Sequence, residues 1–418
     1  MKKVVLSAAA LMCGAIMVAQ TNTSTVDQIG SGNTSVVGQV GSENLADTNQ
    51  NGDDNDSSID QDGADNAYQT TQTGDGNSST VSQVGDRNSG GPYFHGTLQL
   101  GDDNISNTSS IGDDNDTGTL QFGSDNNATI AQTGNRNDAN YNSSMNWGIQ
   151  QVGNNNTASL TQTGDDNWGV IEQEGDFNES YETQTGNLNN DNVFQQGDSN
   201  YSFGNQYGDS NDSDVMQNGD SNSSIVYQGD WGPYLGNLEI STVDQIGDNN
   251  DSEVYQYDVS NISDVDQNGD LNFSKVFQYG DANNSVVNQD GDGNTSNVWQ
   301  GFMPSSADGS ISTVDQIGDD HISYVQQDGT SNTSDVDQNS GDGNDSSVTQ
   351  NGTTNNSDVD QEGSLNTSIV SQDGLSHIST MYQFGDSNMS TVNQTGDTHN
   401  SVVNQLGNMN TSTVTQSN

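Results

Sequence analysis

The chain has 418 residues, of which only 27% are hydrophobic, and its formal net charge is −54. A globular core needs more apolar surface than this to offset the entropy lost on ordering the chain, so ordinary globular domains are excluded. Nucleic acid is excluded as a partner, because binding it requires cationic patches. The charge instead favours positively charged surfaces and cations, including divalent cations, as partners.

The first predicted element is a secretory signal peptide over residues 1–20. Two lysines precede an apolar stretch from Val4 to Val18, and the small residue Ala19 follows it. This order is typical of a signal peptide, and we expect cleavage after Ala19 or Gln20. The apolar stretch is short for a membrane span. The only cysteine, Cys13, lies within it, so we expect no disulfide framework in the secreted chain.

Residues 21–418 are predicted to form one repetitive unit. Glutamine recurs in 34 slots, all Gln except Ser110, and 28 of the 33 intervals between slots are eleven residues. Disordered low-complexity sequence does not keep such a phase, whereas a repeating structure does. One representative copy, Gln267–Gln278, reads QNGDLNFSKVFQ.

Each repeat combines a strand pattern with a turn pattern. Ser-x-Val-x-Gln alternates with period two, which predicts a strand with one face turned inward. Gly-Asp-x-Asn has turn chemistry, because Gly accepts positive φ and Asp and Asn bond to their own backbone. So short a strand is unstable alone, and identical units must stack. We therefore predict an all-β fold, a β-solenoid with two short strands per ~22-residue coil and about 17 coils. At the usual strand spacing it would be roughly 80 Å long.

The inward slots of this solenoid are predicted to form ladders of like side chains. The amides of one rung can bond to the rungs above and below, as in cross-β zippers, while Val and Ser fill the remaining interior. The predicted inward glutamines include Gln28, Gln39, Gln61, Gln83, Gln245, Gln267, Gln278, Gln316, Gln361, Gln372, Gln383, Gln394 and Gln405. The predicted inward valines include Val243, Val276 and Val392.

Five intervals break the eleven-residue phase. Four of them carry extra segments near residues 89–98, 138–150, 229–240 and 301–312, and all three prolines lie in these segments. Because Pro cannot donate to a strand ladder, we predict four loops that bulge from turns. The slot two residues before Gln holds Val at seventeen of eighteen positions from Val215 to Val414. The C-terminal half is therefore expected to be the more regular.

The predicted strands run from Ser24 to Gln416 without a divergent capping repeat. Solenoids normally need caps to remain monomeric, and an uncapped edge is a template for another chain. The sequence therefore predicts uncapped ends and a molecule that stacks end to end on copies of itself, as a head-to-tail homopolymer.

The Asn-x-Ser/Ala-x3-Gln-x-Gly repeats after a bacterial signal peptide resemble curlin, the major subunit of curli, a bacterial functional amyloid. The resemblance covers nearly all of residues 21–418. It implies a β-solenoid secreted through an outer-membrane pore, nucleated by a minor subunit and polymerised into adhesive extracellular fibres of the biofilm matrix. It also implies inward ladder positions for Asn33, Asn272, Asn388, Ser35, Ser274 and Ser390.

Other residue types favour no chemical site. His321, His377 and His399 occupy the Asn slot, and we interpret them as turn residues because no two of them are neighbours with the spacing of metal ligands. Asp290–Asn294 reads DGDGN but lacks the closing Glu of a calcium loop, so we interpret it as a turn. No catalytic arrangement rises above the repeat, which predicts a structural protein without cofactor rather than an enzyme.

Two alternatives stay open at this level. One is a monomeric, surface-associated β-solenoid that binds ice or calcium, and the other is a disordered acidic secreted polymer. Ice binding predicts a flat, regular Thr-x-Thr face, and the TQT pattern fades after Gly186. Trp168 and Trp299 fall on outward slots, where they can contact a ligand or remain plain surface residues.

Overall fold

The structure is a computed structural model that describes residues 21–90, 96–139, 147–229, 236–301 and 307–418. Within these ranges the secondary structure consists of strands and turns, and no helix is long and apolar enough to cross a membrane. The predicted signal peptide, with Ala19 and Gln20, lies outside the described residues, and so do the three prolines.

The strands wind into a β-solenoid of about 17 coils with two strands per coil, which confirms the predicted fold class. Alternate strands belong to two parallel sheets, A and B, and each strand pairs with the equivalent strand one coil later. The register keeps like slots together, with Gln28 beside Gln50 in sheet A and Gln39 beside Gln61 in sheet B. Stacking thus follows directly from the repeat.

The strand bounds reflect the repeat, with most strands seven residues long. Sheet A comprises β1 (Thr23–Ile29), β3 (Leu45–Asn51), β5 (Ala67–Thr73), β7 (Thr97–Leu100), β9 (Asp116–Thr117), β10 (Thr119–Phe122), β12 (Asp138–Ala139), β13 (Ile149–Val152), β15 (Trp168–Glu174), β17 (Asn190–Gln196), β19 (Asp212–Asn218), β21 (Ile240–Ile246), β23 (Ile262–Asn268), β25 (Asn284–Asp290), β28 (Ile311–Asp319), β30 (Thr333–Asp342), β32 (Asn356–Glu362), β34 (Ile378–Phe384) and β36 (Asn400–Leu406). Sheet B comprises β2 (Thr34–Ser42), β4 (Asp56–Ala64), β6 (Ser78–Val84), β8 (Ile105–Ile111), β11 (Asn127–Thr133), β14 (Thr157–Thr163), β16 (Glu179–Thr185), β18 (Tyr201–Tyr207), β20 (Ser223–Gln228), β22 (Asp251–Tyr257), β24 (Phe273–Tyr279), β26 (Thr295–Gln300), β27 (Ala307–Asp308), β29 (Ile322–Thr330), β31 (Asp345–Thr353), β33 (Thr367–Leu375), β35 (Met389–Asp397) and β37 (Thr411–Ser417).

The turn glycine is required by the close approach of successive coils. Gly269 has a φ of 119°, and a Cβ at this position would come within 2.2 Å of the carbonyl oxygen of Gly291 in the next coil. Two residues later Leu271 adopts a left-handed φ of 61°. This conformation costs a non-glycine residue about 1–2 kcal/mol, which the stacked ladder must offset.

The buried apolar residues form two clusters. The larger extends from Ala128 to Val403 and contains the valine slots of the C-terminal coils. The smaller consists of Ala46, Ile59, Tyr68 and Val81. Between them the corresponding slots hold Thr97, Thr108 and Thr119. The apolar core is therefore discontinuous near the fourth and fifth coils.

The first two insertions interrupt strands of sheet A. Ser89 still pairs with Ala67 of β5, and the strand resumes where Thr97 pairs with Thr70. In the second case Ala139 ends β12, and Ile149 begins β13. The prediction that these loops start from turns is wrong here, because the preceding turns keep their ladder bonds and the last described residues before each insertion already pair in sheet A.

The last two insertions follow Gln228 and Gln300 at the ends of sheet-B strands, and the turn resumes at Gly236 and Ala307. The described residues that flank all four insertions therefore lie at or beside the edge where sheet B passes into sheet A. The fifth break in phase is a single extra residue, accommodated by a register shift between β28 and β30.

Candidate assembly interface

The glutamine ladder saturates its amides with hydrogen bonds. Gln372 Nε2 donates to Gln394 Oε1 at 2.9 Å in the next coil and to the carbonyl oxygen of Asn356 at 2.9 Å in the opposite sheet. Its own Oε1 accepts from Gln350 in the coil before. The same pattern recurs at Gln61, Gln245, Gln267, Gln278, Gln316, Gln361, Gln383 and Gln394.

The glutamines of the terminal coils lie in the same ladders but are less buried. Gln28 is exposed and donates to Gln50, while Gln39 is half-buried and donates to Gln61. At the other end Gln405 accepts from Gln383 and donates only to the carbonyl oxygen of Met389. Within the described residues, the rungs of Gln28, Gln39 and Gln405 have a glutamine to which they bond in the adjoining coil on one side only.

One rung inside the ladder is broken. Ser110 occupies the glutamine slot that pairs with Gln83, and its short side chain does not reach that amide. Gln83 Nε2 is therefore buried without a hydrogen-bond partner. Ser110 Oγ instead donates to Gln132 Oε1 at 3.4 Å.

The asparagine slot ties each turn to the next one. Asn272 Nδ2 donates to the carbonyl oxygen of Gly291 at 2.8 Å, and its backbone N–H donates to Asn250 Oδ1 at 3.0 Å. Asn388 makes the equivalent backbone bond within its ladder. Asn33, in the first coil, is half-buried and donates to the carbonyl oxygen of Gly52 at 2.8 Å.

The valine and serine slots fill space between the amides. Val243, Val276 and Val392 are buried in the larger apolar cluster. The predicted inward serines are Ser35, Ser274 and Ser390, and their hydroxyl groups are buried without a hydrogen-bond partner. At these three positions the slot therefore contributes packing rather than hydrogen bonding, although the same slot holds the buried Tyr68 in β5.

The aspartate after the turn glycine accepts a backbone hydrogen bond. Asp270 Oδ1 accepts from the N–H of Asp248 at 2.9 Å, and Asp292 Oδ1 accepts in turn from the N–H of Asp270 at 2.9 Å. A carboxylate makes such a bond stronger than a neutral acceptor would, and these bonds offset part of the repulsion along the row. The turn acids thus contribute to stacking as well as to repulsion.

The three ladder histidines replace asparagine. His377 Nδ1 accepts from the backbone N–H of His399 at 3.2 Å, and the two rings stack with centroids 5.2 Å apart. The sequence interpretation missed that these two are neighbours, although their separation of 22 residues is one coil. His321 is buried, and burial lowers its pKa. The described part of the chain contains no group of three or more side chains able to hold a metal ion.

Two buried carboxyl groups interrupt the core and were not predicted. Glu182 takes a valine slot and Asp191 a serine slot, and the two carboxyl groups interact inside the core. Glu182 Oε1 accepts from Ser180 Oγ at 3.0 Å and from Ser202 Oγ at 2.9 Å, whereas both carboxyl oxygens of Asp191 are buried without a hydrogen-bond partner. Burial raises the pKa of both carboxyl groups. Gly204, in the next valine slot, makes room, since a Cβ there would come within 1.8 Å of Glu182 Oε2. The sequence does contain a signal for this pair, because Glu182, Asp191 and Gly204 all depart from the repeat and lie in neighbouring slots.

A third buried acid, Glu239, stands in the asparagine ladder. Its Oε2 accepts from the backbone N–H of Asn261 at 2.8 Å, and its own N–H donates to Asn211 Oδ1 at 3.1 Å. Burial raises the pKa of Glu239 to about 8, despite the bonds from Asn261 that favour the charged form. The stability of this rung of the asparagine ladder therefore depends on the protonation state of Glu239.

The two ends of the described solenoid present unpaired strand edges. Each of β1, β2, β36 and β37 pairs with one strand of the adjoining coil. Gln28 and Gln405 lie in the sheet-A ladder, and Gln39 and Gln416 lie in the sheet-B ladder. A second copy placed one coil beyond β36 and β37 would continue both ladders without a change in register.

Comparison with known families bears on the C-terminal coils. The curlin-associated repeat matches residues 341–374 and 385–417. These coils are similar to curlin repeats. The matched ranges contain β31, β32, β35, β36, β37 and all but the last residue of β33, and these strands show the same ladders as the preceding coils. No curated protein matches the chain.

Proposed function

We propose that this chain is a secreted, self-assembling structural subunit of curli-like extracellular fibres, with an adhesive role in the biofilm matrix. Residues 1–20 would be the signal peptide, and residues 21–418 would form the single secreted solenoid. The observation that carries the proposal is that successive coils pair through like residues in one register from β1 to β37, so that the ladders of one copy can continue into another copy. The curlin-repeat similarity supports the same function.

End-to-end growth would reproduce at each junction the contacts made inside the molecule. Gln405 would bond to Gln28 of the next copy, and Gln416 to its Gln39, while β36 and β37 would pair with its β1 and β2. Parallel pairing through unprotected edges is the general route to cross-β stacking. A minor nucleating subunit and an outer-membrane secretion pore are the further partners implied by the resemblance to curlin.

The ice-binding alternative gains little from the geometry. Among the described strands, a Thr-x-Thr pair stacks on another one only where Thr161 and Thr163 of β14 meet Thr183 and Thr185 of β16. A regular ice-binding face needs many such rungs. We therefore retain fibre formation as the proposed function.

The test blocks one edge while leaving the interior intact. Met389 donates its N–H to the carbonyl oxygen of Asn410 in the next coil, so the N–H groups of outward residues point toward the following copy. In β37 these outward residues include Thr413 and Thr415. Replacing both with Pro removes two donors from the open edge, because Pro has no N–H.

We expect residues 21–418 with Thr413→Pro and Thr415→Pro to fold but to elongate slowly, measured by amyloid-dye kinetics and electron microscopy. The matched control replaces the same two residues with Ala and should elongate like the unmodified chain. Fibres of the unmodified chain should give a meridional reflection near 4.7–4.8 Å. Equal elongation of the proline and alanine variants would refute end-to-end growth through β37.

A further inference from the structure

The outward side of sheet B carries a row of aromatic side chains across five consecutive strands, β16 to β24. We call it the aromatic face, and it consists of Tyr181, Tyr201, Phe203, Tyr227, Tyr255 and Phe277. All six side chains are half-buried. Neighbouring rings touch, with centroid distances of 5.4 Å for Phe203 and Tyr227 and 5.3 Å for Tyr227 and Tyr255.

The solenoid does not need these rings in order to fold. They point away from the interior, which Val, Ser and the amide ladders fill. The slot of Tyr227, Tyr255 and Phe277 holds Thr349 in β31 and Ser371 in β33, and those strands stack in the same register. Contacts between aromatic rings stabilise neighbouring strands, but that gain would be available in any coil. Concentration of the rings in one stretch points to a surface with a partner.

A cation of the chain itself shows how this surface binds positive charge. Lys275 Nζ lies 5.1 Å from the centroid of the Tyr255 ring and 2.5 Å from Glu253 Oε2. The ammonium group is thus held between an aromatic ring and a carboxylate. Glu179, Tyr181 and Tyr201 form a second group of a carboxylate beside aromatic rings, but without a lysine. Tyr181 Oη donates to Glu179 Oε2 at 3.3 Å, and the centroids of the Tyr181 and Tyr201 rings lie 6.3 Å apart.

We propose that the aromatic face is a docking surface for a basic, arginine-rich polypeptide segment of another protein. The whole chain carries a net charge of −54, which attracts such a segment and repels anionic polymers. Guanidinium groups stack on aromatic rings and form paired bonds with carboxylates, so Arg fits the combination better than an uncharged apolar partner does. The face lies along the side of the solenoid, and it remains accessible whether or not copies stack end to end.

The experiment measures binding of a fluorescein-labelled nona-arginine peptide to residues 21–418 at 150 mM NaCl. Replacing Tyr227, Tyr255 and Phe277 with Thr keeps the net charge and uses a residue found in this slot elsewhere. We expect the dissociation constant to rise at least tenfold. The control replaces Asp264, Asp266 and Asp337 of sheet A with Asn, which removes three charges from the opposite face and should change the constant less than threefold.

A second pair of variants tests whether removing a cation from the aromatic face increases the affinity for the peptide. Lys275→Ala uncovers Glu253 and the Tyr255 ring and should tighten peptide binding several-fold. Arg87→Ala removes one positive charge from an exposed ion pair with Asp114 and should leave binding unchanged. If the Thr variant binds like the unmodified chain, if the sheet-A variant loses as much affinity, or if Lys275→Ala and Arg87→Ala behave alike, the attraction is diffuse charge and the proposed surface is wrong.

Discussion

At the scale of single residues, the broken rung at Ser110 marks a local weakness of the glutamine ladder. Gln83 Nε2 is buried there without a partner, and an unsatisfied buried group costs about 1–3 kcal/mol. Ser110→Gln should complete the rung and raise the free energy of unfolding by a similar amount. The measurement is the guanidinium unfolding midpoint of the full chain, followed by circular dichroism.

A matched pair of deletions separates the ladder from general packing. Gln83→Leu and Gln372→Leu remove the same amide from two rungs and keep most of the volume. Gln372 bonds to amides on both sides, whereas Gln83 has already lost one neighbour, so Gln372→Leu should destabilise the chain more. Equal losses, together with no gain from Ser110→Gln, would remove the amide ladder as a source of stability.

Glu239 makes the asparagine ladder sensitive to pH. Its pKa is about 8 when folded, above the ordinary value near 4.3, so folding binds a proton between these limits. Its contribution to stability is full below about pH 4 and is lost as the pH rises through about 8. Glu239→Asn restores the residue of the repeat and should stabilise the chain at pH 8 but hardly at pH 4.5. Urea unfolding at the two pH values checks this, and an equal gain at both would contradict it.

At the scale of the strand, the outward aspartates of sheet A form the acid-sensitive rows. Burial and then neighbouring Asp335 and Asp315 raise the pKa of Asp337 to about 6. Burial likewise raises the pKa of Asp244, Asp264, Asp266, Asp315, Asp335 and Asp360. Because the folded state holds these protons more tightly, the contribution of these groups to stability is full below about pH 4 and is lost as the pH rises through about 6.

We therefore expect fibre formation to be faster near pH 4 than at pH 7, and faster in 1 M salt than in low salt at pH 7. Replacing Asp315, Asp337 and Asp360 with Asn should speed assembly at pH 7 and reduce the effect of acid. Lag time against pH and NaCl at fixed protein concentration measures both. A triple variant with the full acid response would show that other groups control assembly.

The repeat predicted the strands because each eleven-residue unit carries its own turn and its own inward pattern. It could not decide whether an insertion leaves from a turn or a strand, since both give the same count between glutamine slots. Nor could it pair Glu182 with Asp191. Contacts between the sheets join residues nine apart, as at Thr48 and Ser57, and that offset depends on how the two sheets pack.

At the scale of the whole molecule, the interrupted apolar core divides the solenoid into two parts. The smaller cluster ends at Val81 of β6, and the larger begins at Ala128 of β11. The slot between Val81 and Ile130 in the sheet-B ladder holds Thr108. Regions joined by few apolar contacts open as separate cooperative units, so the N-terminal coils should unfold locally before the remainder.

Hydrogen exchange of the full chain tests this division. Amides of β3 to β6 should exchange faster than those of β28 to β33, because their cluster is small and the junction beyond it is polar. Thr108→Val, combined with Thr119→Val, should protect β3 to β6 by joining the two clusters. Thr119 Oγ1 is buried without a partner, so its removal loses no hydrogen bond. Thr108 Oγ1 accepts from Tyr68 Oη at 3.3 Å, and after its removal that hydroxyl keeps its hydrogen bond with Thr97. The control Thr349→Val changes a residue in an outward slot and should leave the pattern of hydrogen exchange along the chain unaltered. Uniform protection along the unmodified chain would mean that the backbone and amide ladders alone make the solenoid a single cooperative unit.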